Sequence, residues 1–327
     1  MIPTKRYIRC RLLLAVLLLL FAGISKAAEP QPHLAYLVSD VRIPFWNIMK
    51  RGIVSQGEAL NYHIDVYSAE NSSEKELINT VKALKSGVKG IILSPTNSSN
   101  AVTILELAAS ENVPVVIADI GTDGGEYVSY ISSDNLNGAH SLGKILAKAF
   151  RTKGWDNPGV GIIAIPQKRE NGRARTSGFL HAMNEAGFKS VGLRQQRTFS
   201  YQETYGFAIE LINENPKLHA LWLQGSDRYQ AALDAIEDSN KQGEILLLCF
   251  DAEPEFIDML KAGTLVAAGM QQPFMIGEIA TETLHNHLTG KPVEKSISLP
   301  VLAVSPENVD TLMPKIKRNV LGLDAGL

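Results

Sequence analysis

The sequence predicts an α/β protein built from two parallel-sheet units in series. Short apolar runs alternate with longer segments that carry apolar residues at helical spacing, over residues 34–119 and again over residues 160–269. Strands that alternate with helices form βαβ units, and helices cover both faces of the resulting parallel sheet. A chain of 327 residues is long enough for two lobes of about 100–200 residues each.

The first unit contains four predicted strands separated by three predicted helices. The strands are Leu34–Ser39, His63–Ser68, Gly90–Leu93 and Pro114–Asp119. The helices cover residues 45–60, 73–86 and 98–111. We expect the second helix to begin with a capping box, because Glu76 follows Ser73 by three residues.

The second unit contains five predicted strands, and a short remainder follows it. The strands are Val160–Ile165, Val191–Thr198, Ala220–Leu223, Ile245–Phe250 and Leu265–Gly269. Helices are predicted over residues 172–186, 202–214, 227–239 and 254–262. No Pro/Ser-rich linker separates the units, so we expect a short, ordered join near residues 132–135. A last helix over residues 275–289 and a strand at Ser296–Val301 must complete these lobes, which predicts several chain crossings.

The N-terminal residues have the layout of a secretory signal peptide. Basic residues precede a nearly continuous apolar run from Leu12 to Phe21, and Ser25-Lys26-Ala27 supplies small residues at the cleavage positions. This predicts export to the periplasm with cleavage near Ala27. The alternative is an uncleaved membrane anchor, but the run is shorter than the roughly 20 residues that a spanning helix needs.

Composition predicts a folded, mildly acidic protein. Hydrophobic residues make up 45% of the chain and charged residues 20%, which disfavours disorder. Without residues 1–27, the chain has 27 basic and 34 acidic residues, a net charge of −7. This charge argues against nucleic acid binding, which needs a basic surface. Cys249 is then the remaining cysteine, and its apolar surroundings predict a buried thiol without a disulfide.

Polar and aromatic residues after the predicted strands are the candidate ligand contacts. In open parallel sheets, ligands bind beyond the carboxyl ends of the strands. The candidates from this rule are Phe45, Trp46, Ser94, Asp119, Phe199, Asp227, Asp251 and Gln271. Aromatic rings stack on sugars, and a carboxylate accepts hydrogen bonds from two neighbouring hydroxyls. The same mixture suits an amino acid, a polyamine or a quaternary amine, so these residues leave the ligand class open.

Several candidates also have a purely structural interpretation. Phe45 is either a ligand contact or the start of a helix core, and Asp119 and Asp251 are either ligand contacts or turn and cap residues. Trp46 is harder to bury on the same helix face as Phe45, so we expect it to line the cleft.

Signals for other chemistry are weak. The segment from Gly138 to Lys144 has the glycine and lysine spacing of a phosphate-binding loop, but Ile145 replaces the required Ser or Thr. It is better explained as a helix with glycines at packing points. His285 and His287 are two residues apart on a predicted helix and do not share a face, which argues against a metal site. The sequence therefore predicts no cofactor, no metal site and no catalytic residue.

Six segments carry a resemblance to a known family. They are Pro44–Trp46, Leu93–Asn97, Ile131–Gly138, Arg173–Phe179, Phe250-Asp251 and Met270–Pro273. In their order and spacing the chain resembles the ribose-binding-protein family of type I periplasmic binding proteins. The resemblance implies two doubly wound Rossmann-like α/β lobes joined by a multi-strand hinge. It places residues 28–133 and 271–299 in the first lobe, and residues 134–270 and 300–327 in the second.

The resemblance also implies roles for individual residues. Phe45 and Trp46 match stacking aromatics, Arg173 matches the ligand-binding arginine and Phe199 a second-lobe aromatic. The carboxylates and the hinge-side amide of the family are matched by Asp119, Asp251 and Gln271. The pocket of the family often has asparagine where Ile43, Ser94 and Gly225 stand here, and arginine where Ile120 stands. These departures argue against ribose itself, and Gly225 leaves room for a larger ligand.

The resemblance implies a monomeric, non-enzymatic protein that captures a small polar ligand, a sugar or polyol, by lobe closure. It would deliver this ligand to the permease of an ABC importer. The alternative is a sensory protein that presents its ligand, such as a methylamine-type solute, to a membrane histidine kinase or chemoreceptor.

Overall fold

The computed structural model describes residues 31–323, so the predicted signal peptide lies outside the described part of the chain. Within these residues, no helix has both the length and the apolar character needed to cross a bilayer. The strands are β1 (His33–Val38), β2 (His63–Ser68), β3 (Ile91–Ser94), β4 (Val115–Ala118), β5 (Ser129–Ser133), β6 (Gly159–Ala164), β7 (Lys189–Gln195), β8 (Leu218–Leu223), β9 (Leu246–Phe250), β10 (Ala267–Met270), β11 (Ser296–Leu299) and β12 (Leu302–Val304).

Helices separate most of these strands. The α-helices are α1 (Pro44–Ala59), α2 (Ser73–Lys85), α3 (Ser98–Ser110), α4 (Asn135–Lys153), α5 (Glu170–Ala186), α6 (Tyr201–Glu214), α7 (Tyr229–Asp238), α8 (Phe256–Ala262), α9 (Pro273–Leu288) and α10 (Val309–Lys315). A short π-helix, Ile316–Val320, follows α10.

The strands form two six-stranded sheets. The first has the order β11-β5-β4-β3-β1-β2, and all its neighbouring strands are parallel. The second has the order β12-β10-β9-β8-β6-β7 and is parallel except between β10 and β12. We call each sheet with its packed helices the first lobe and the second lobe. The strand order reverses beside β1 and beside β6, which creates the switch points of doubly wound folds and confirms the predicted fold class.

The described chain passes between the two sheets three times. Asp134 connects β5 to α4, residues 271–272 connect β10 to α9, and residues 300–301 connect β11 to β12. The second and third connections are hydrogen-bonded to each other, because the Gln272 amide donates to the Pro300 carbonyl oxygen at 2.8 Å. Three adjacent connections form the multi-strand hinge that the sequence predicted.

Glycines allow α4 and α5 to pack closely in the second lobe. A Cβ atom on Gly178 would lie only 2.0 Å from the carbonyl oxygen of Leu136, and one on Gly143 would lie 2.6 Å from the Ala182 Cβ. Gly143 therefore belongs to a helix-packing face, as expected, and the near match to a phosphate-binding loop is part of α4.

One strand of the first sheet was missed by the sequence analysis, and another is shorter than predicted. Strand β5 was not predicted because serines occupy three of its five positions, Ser129–Ser133, although it is paired on both sides. The predicted strand Ser296–Val301 ends earlier, at Leu299, because Pro300 has no backbone N–H for a further ladder bond. The next residues form β12, which belongs to the other sheet.

The predicted capping box of α2 is wrong. The N-cap is Ser72, whose hydroxyl accepts from the Lys75 N–H at 3.2 Å. The Glu76 carboxylate instead accepts hydrogen bonds from the backbone N–H and the hydroxyl of Thr96, each at 2.7 Å. Glu76 thus ties α2 to the loop after β3, and burial raises its pKa to about 7.

The thiol of Cys249 is buried in β9, as predicted. Its surroundings are the apolar residues of the second-lobe core, and burial raises its pKa well above the usual value. A buried thiol with this environment packs as a small hydrophobic group.

Candidate ligand-binding site

Asp119 and Asp251 occupy equivalent positions in the two lobes. Each follows the last residue of a central strand, β4 or β9. Each has a left-handed backbone, with φ of 69° and 68°, and each N–H donates a 2.9 Å hydrogen bond, to Ile131 and Gly269 respectively. Non-glycine residues in this conformation are uncommon and concentrate at functional sites. Both carboxylates therefore lie beyond strand ends, where the sequence predicted ligand contacts.

Asp119 is contacted by the opposite lobe. Its Oδ2 accepts a 3.3 Å hydrogen bond from the amide of Asn171, in the first turn of α5. The residue is 1% exposed, and burial raises its pKa to about 7 although the positive charge of Arg175 opposes the rise. The protonation of this carboxyl group is therefore sensitive to any ligand that donates hydrogen bonds to it.

Asp251 and Gln271 form a hydrogen-bonded pair. The Gln271 amide donates to Asp251 Oδ1 at 2.5 Å, and Arg175 NH1 lies 3.7 Å from Asp251 Oδ2. Burial raises the pKa of Asp251, whereas Arg175 and the Gln271 hydrogen bond oppose the rise. Gln271 is 1% exposed and lies in the second hinge connection. The predicted second carboxylate and the predicted hinge-side amide are thus in direct contact.

Arg173 is not the arginine that reaches these carboxylates. Its side chain is 51% exposed and donates to the Gln167 carbonyl oxygen. Arg175 is 2% exposed, and its guanidinium carbon lies 3.9 Å from the centre of the Phe250 ring, beside Asp251. Residues two apart on an α-helix point in directions that differ by about 200°. Arg175 is therefore the arginine that lies beside Asp251, and contact of Arg173 with a ligand stays a prediction.

Arg169 is a further buried cation that the sequence did not single out as a ligand contact. Its Nε donates to the carbonyl oxygen of Thr96, in the first lobe, at 3.1 Å. Its guanidinium lies 5.6 Å from the centre of the Phe199 ring, and burial lowers its pKa to about 10. Its place shortly after β6 was the available signal, since the ends of strands are where ligands bind.

The predicted aromatic residues differ in burial. Phe45 and Trp46 lie in the first turn of α1 with ring centroids 4.9 Å apart, edge to face. Trp46 is 4% exposed and belongs to the first-lobe core, whereas Phe45 is half-buried. The expectation that Trp46 is harder to bury is wrong, because both rings contact the same apolar cluster. Phe199 is half-buried in the second lobe. Stacking of these rings on a ligand stays a prediction.

Ser94 and Asp227 already contact residues of their own lobes. The buried Ser94 hydroxyl lies 3.3 Å from Tyr36 Oη and 3.6 Å from Met49 Sδ. Asp227 Oδ2 lies 3.3 Å from Arg228 NH1, although the geometry is not that of a hydrogen bond. Burial raises the pKa of Asp227, and the charge of Arg228 opposes the rise.

A cavity of about 460 Å³ lies between the lobes beside Asp227. Asp40 and Arg42 line it from the first lobe, and Phe199 and Asp227 line it from the second. A Cβ atom on Gly225 would meet no atom closer than 3.7 Å. A Cβ atom would thus fit at Gly225 in van der Waals contact with Asp227 and Ile165, and room for a larger ligand there stays a prediction.

Seven buried side-chain polar atoms lack a hydrogen-bond partner among the described residues. Three are the hydroxyls of Ser129 and Ser133 and the indole nitrogen of Trp222, and the other four are carboxylate or amide oxygens. These four oxygens are Asp119 Oδ1, Asn171 Oδ1, Asp227 Oδ2 and Gln271 Oε1. An unpaired buried polar atom costs about 1–3 kcal/mol. All four are acceptors, so the region between the lobes is short of hydrogen-bond donors. A ligand rich in hydroxyl groups would supply them.

His285, near the end of α9, contacts Tyr62. His285 Nδ1 lies 3.1 Å from the Tyr62 hydroxyl, and the two rings meet edge to face. Two clusters of two histidines and one carboxylate occur elsewhere in residues 31–323, and neither includes Asp119 or Asp251.

Comparison with curated proteins relates the chain to binding proteins for sugars. A model of the periplasmic binding protein domain matches residues 34–292. The chain is 28% identical over 291 residues to the ribose import binding protein of Haemophilus influenzae, which covers 88% of this chain and 96% of that protein. It is 24% identical over 264 residues to the D-allose-binding periplasmic protein of Escherichia coli, which covers 78% and 84%.

Solved structures share the fold. A carbohydrate transporter solute binding protein from Agrobacterium radiobacter, in complex with D-arabinose, has a TM-score of 0.82 and 21% identity, covering 90% of this chain and 100% of that one. An ABC transporter solute binding protein from Bacillus halodurans, with bound myo-inositol, has a TM-score of 0.79 and 19% identity, covering 89% and 100%. Because the domain model matches most of its length, the chain belongs to the periplasmic binding protein domain family.

Proposed function

We propose that this protein is the solute-binding component of an ABC importer and that it captures a sugar or polyol between its lobes. The observation that carries this proposal is the group of unpaired acceptor oxygens around Asp119 and Asp251. Hydroxyl groups are both donors and acceptors, so a sugar can satisfy these oxygens and still accept from Arg175. The names of the relatives support the ligand class, since ribose, D-allose, D-arabinose and myo-inositol are all rich in hydroxyls.

Transport is favoured over sensing because the ribose-binding relatives are named as import proteins. In the proposed cycle, Asp119 holds hydroxyls from the first lobe, and Asp251 and Arg175 hold them from the second. Gln271 fixes the orientation of Asp251 through their hydrogen bond. Faces for stacking come from the half-buried rings of Phe45 and Phe199, and Trp46 supports Phe45 from the first-lobe core. The Ser94 hydroxyl is already engaged by Tyr36 and has a supporting role.

Ligand capture follows from contacts that the two lobes make together. Hydrogen bonds that join the start of α5 to the first lobe include Arg169 with Thr96, the Glu170 N–H with Ser98 and Asn171 with Asp119. A ligand held by carboxylates of both lobes binds the closed form better than the open form, and so shifts the population towards closure. The closed shape is what the permease would recognise.

We propose a ligand other than ribose. Ile43 and Ile120 stand where the family has a polar residue, and Ile120 is fully buried in the first-lobe core, so neither offers a side-chain hydrogen bond. Gly225 has no side chain where the family often has asparagine, which removes another side-chain hydrogen bond on the side of the second lobe. A sugar that carries an additional substituent fits these changes better than a bare pentose.

The proposal also includes the lobe boundaries, the cellular location and the oligomeric state. We place the first lobe at residues 28–133 and 271–299 and the second at residues 134–270 and 300–327. The protein would act in the periplasm after cleavage near Ala27, as a monomer that binds its ligand without converting it.

Thermal-shift screening of the mature protein against monosaccharides, polyols and methylamines tests the proposed function. A true ligand raises the apparent melting temperature, because it binds the native state and not the unfolded chain. We expect at least one sugar or polyol to stabilise the protein. Stabilisation by methylamines alone would favour the sensory alternative, and stabilisation by no compound in the panel would contradict a hydroxyl-rich ligand.

Asp251→Ala tests the site itself. Loss of a charged acceptor for two hydroxyls is expected to weaken binding of the identified ligand by about 1–3 kcal/mol. Calorimetric titration of both proteins measures this difference. An unchanged affinity would remove Asp251 from the site.

A further inference from the structure

Two histidines and a glutamate converge at the surface of the second lobe. His140 belongs to α4, and His181 and Glu185 lie one turn apart on α5. Glu185 Oε2 lies 2.8 Å from His140 Nε2, and Glu185 Oε1 lies 3.4 Å from His181 Nε2. The three ligand atoms all lie within 4.8 Å of one another. None of these residues contributes to the proposed sugar site.

These separations match the coordination sphere of a small transition-metal ion. Tetrahedral zinc binds imidazole nitrogen and carboxylate oxygen at about 2.0–2.2 Å, which places neighbouring ligand atoms about 3.4 Å apart. The two measured separations of 2.8 and 3.4 Å are close to this value. Small side-chain rotations would therefore bring all three groups around one ion.

The backbone beneath the cluster is held in place. A Cβ atom on Gly178 would lie 3.2 Å from the His140 backbone nitrogen, so α4 and α5 meet closely at this point. The His140 side chain is only 19% exposed, although His181 is 69% exposed. Ligands on closely packed helices are positioned more precisely than ligands on loops. The two helices and the largely enclosed His140 are therefore held in place, whereas the exposed His181 side chain is free to rotate towards an ion.

We propose that His140, His181 and Glu185 form a binding site for Zn²⁺ or a similar divalent transition metal, with water completing the coordination. Two imidazoles and one carboxylate suit such metals, whereas Ca²⁺ and Mg²⁺ prefer an all-oxygen environment. A bound ion would link α4 to α5, whose first turn carries Asn171 and contacts the first lobe. The metal would thus brace the helix pair that supports the start of α5.

Lys144 is the main feature that opposes the metal. It lies one turn after His140 on α4, is exposed and acts electrostatically on Glu185. A positive charge near the carboxylate competes with a cation for the same oxygen atoms. Removal of this charge should therefore strengthen metal binding.

A second cluster provides a matched control. His33, His63 and Asp65 lie on the paired strands β1 and β2, with His33 Nδ1 at 2.9 Å and His63 Nε2 at 3.3 Å from the carboxylate. Both histidines are about half exposed, at 46% and 56%, so neither is as enclosed as His140. Substitutions in this cluster remove the same side-chain types without touching the proposed site.

Calorimetric titration of the untagged protein with Zn²⁺ tests the proposal. His140→Gln keeps a hydrogen-bond donor for Glu185 but removes the imidazole ligand. We expect this variant to lose one bound Zn²⁺ per chain, or to bind it at least about tenfold more weakly, since loss of even an outer-shell partner costs 10–100-fold. Lys144→Gln is expected to bind several-fold more tightly, and His33→Gln with His63→Gln to leave this site unchanged.

Two results would overturn the proposal. One is equal Zn²⁺ affinity and stoichiometry in the wild-type protein and in both His140→Gln and His181→Gln. The other is loss of binding in the strand-cluster variant alone. Circular dichroism in the presence of a chelator verifies that each variant is folded, and His181→Gln serves if His140→Gln is not. Sugar binding is measured in parallel, because the metal site stands whether or not the proposed sugar function does.

Discussion

Replacement of Asp119 by asparagine tests whether a carboxyl group is truly desolvated between the lobes. Asp119 is 1% exposed, and burial raises its pKa from the usual 3.8 to about 7. The folded protein therefore holds this proton more tightly than the unfolded chain does. The stability that results is fully present below the unfolded-state pKa and is lost as the pH rises through about 7. Asparagine has nearly the same shape and cannot ionise, so the variant lacks this loss.

The size of the effect follows from the difference between the two pKa values. Each pH unit between 3.8 and about 7 corresponds to about 1.4 kcal/mol, which gives an upper limit of about 4 kcal/mol. Part of this is offset when water or side-chain movement solvates the ionised carboxylate. We therefore expect the ligand-free wild-type protein to lose about 2–4 kcal/mol relative to Asp119→Asn between about pH 4 and pH 7.

Urea unfolding of both proteins at intervals between about pH 4 and pH 8 measures this difference. The difference between the two curves isolates Asp119, because the other buried carboxylates are common to both proteins. Asp123→Asn is a matched control in the same segment, since its side chain is 49% exposed. A desolvated Asp119 is contradicted if the difference in unfolding free energy between wild type and Asp119→Asn is constant over this range. It is also contradicted if this difference grows in favour of the wild type with rising pH.

Two further predictions concern binding and packing. Arg175→Lys is expected to weaken sugar binding by about tenfold or more, because an ammonium group cannot reproduce the planar, multi-donor guanidinium that lies on Phe250. Calorimetry should show no comparable effect for Arg173→Lys, and equal losses in both variants would contradict the assignment. Gly178→Ala is expected to destabilise the protein by about 1–3 kcal/mol, because the new Cβ would clash with a carbonyl oxygen on α4. Gly206→Ala, in α6 with no atom within 4 Å of the new Cβ, should instead stabilise it by up to about 1 kcal/mol. Urea unfolding separates these two outcomes, and a neutral Gly178→Ala would contradict the close helix contact.

The sequence was sufficient for most of the fold because strand burial leaves a local signature. Strand Gly159–Ala164, for example, is buried along its whole length and was predicted to within one residue at each end. Strand β5, Ser129–Ser133, has no continuous apolar run, because three of its five side chains are serines. Its place in the sheet depends on pairing with β4 and β11, and β11 is more than 150 residues away in the chain. Such distant pairing cannot be inferred from local periodicity.

Local sequence patterns also found the site residues that directly follow strands. They missed the residues whose position depends on helical phase or on contacts between the lobes. Asp119 and Asp251 follow strands directly, so their placement depends on a feature that one-dimensional patterns reveal. Arg173 was assigned by the family resemblance, whereas the choice between Arg173 and Arg175 depends on helical phase. Helix α5 begins at Glu170, two residues before the predicted start at residue 172, and its inner face cannot be assigned without the structure. Arg169 and Asn171 matter because of contacts with the opposite lobe, which sequence patterns do not report.

Arg169 also explains how the site functions without a cation at position 120. The related family often has arginine where this chain has Ile120, so Asp119 lacks a positive neighbour from the adjacent residue of its own lobe. Arg175 and, to a smaller extent, Arg169 act electrostatically on Asp119 from the second lobe, and Arg169 is fixed across the interface by its hydrogen bond to the Thr96 carbonyl oxygen. The positive charges that act on Asp119 thus belong to the second lobe, which closes on the carboxylate, and not to the first lobe, which carries it. Charge compensation of Asp119 then depends on closure, which couples the electrostatics of the site to the movement that captures the ligand.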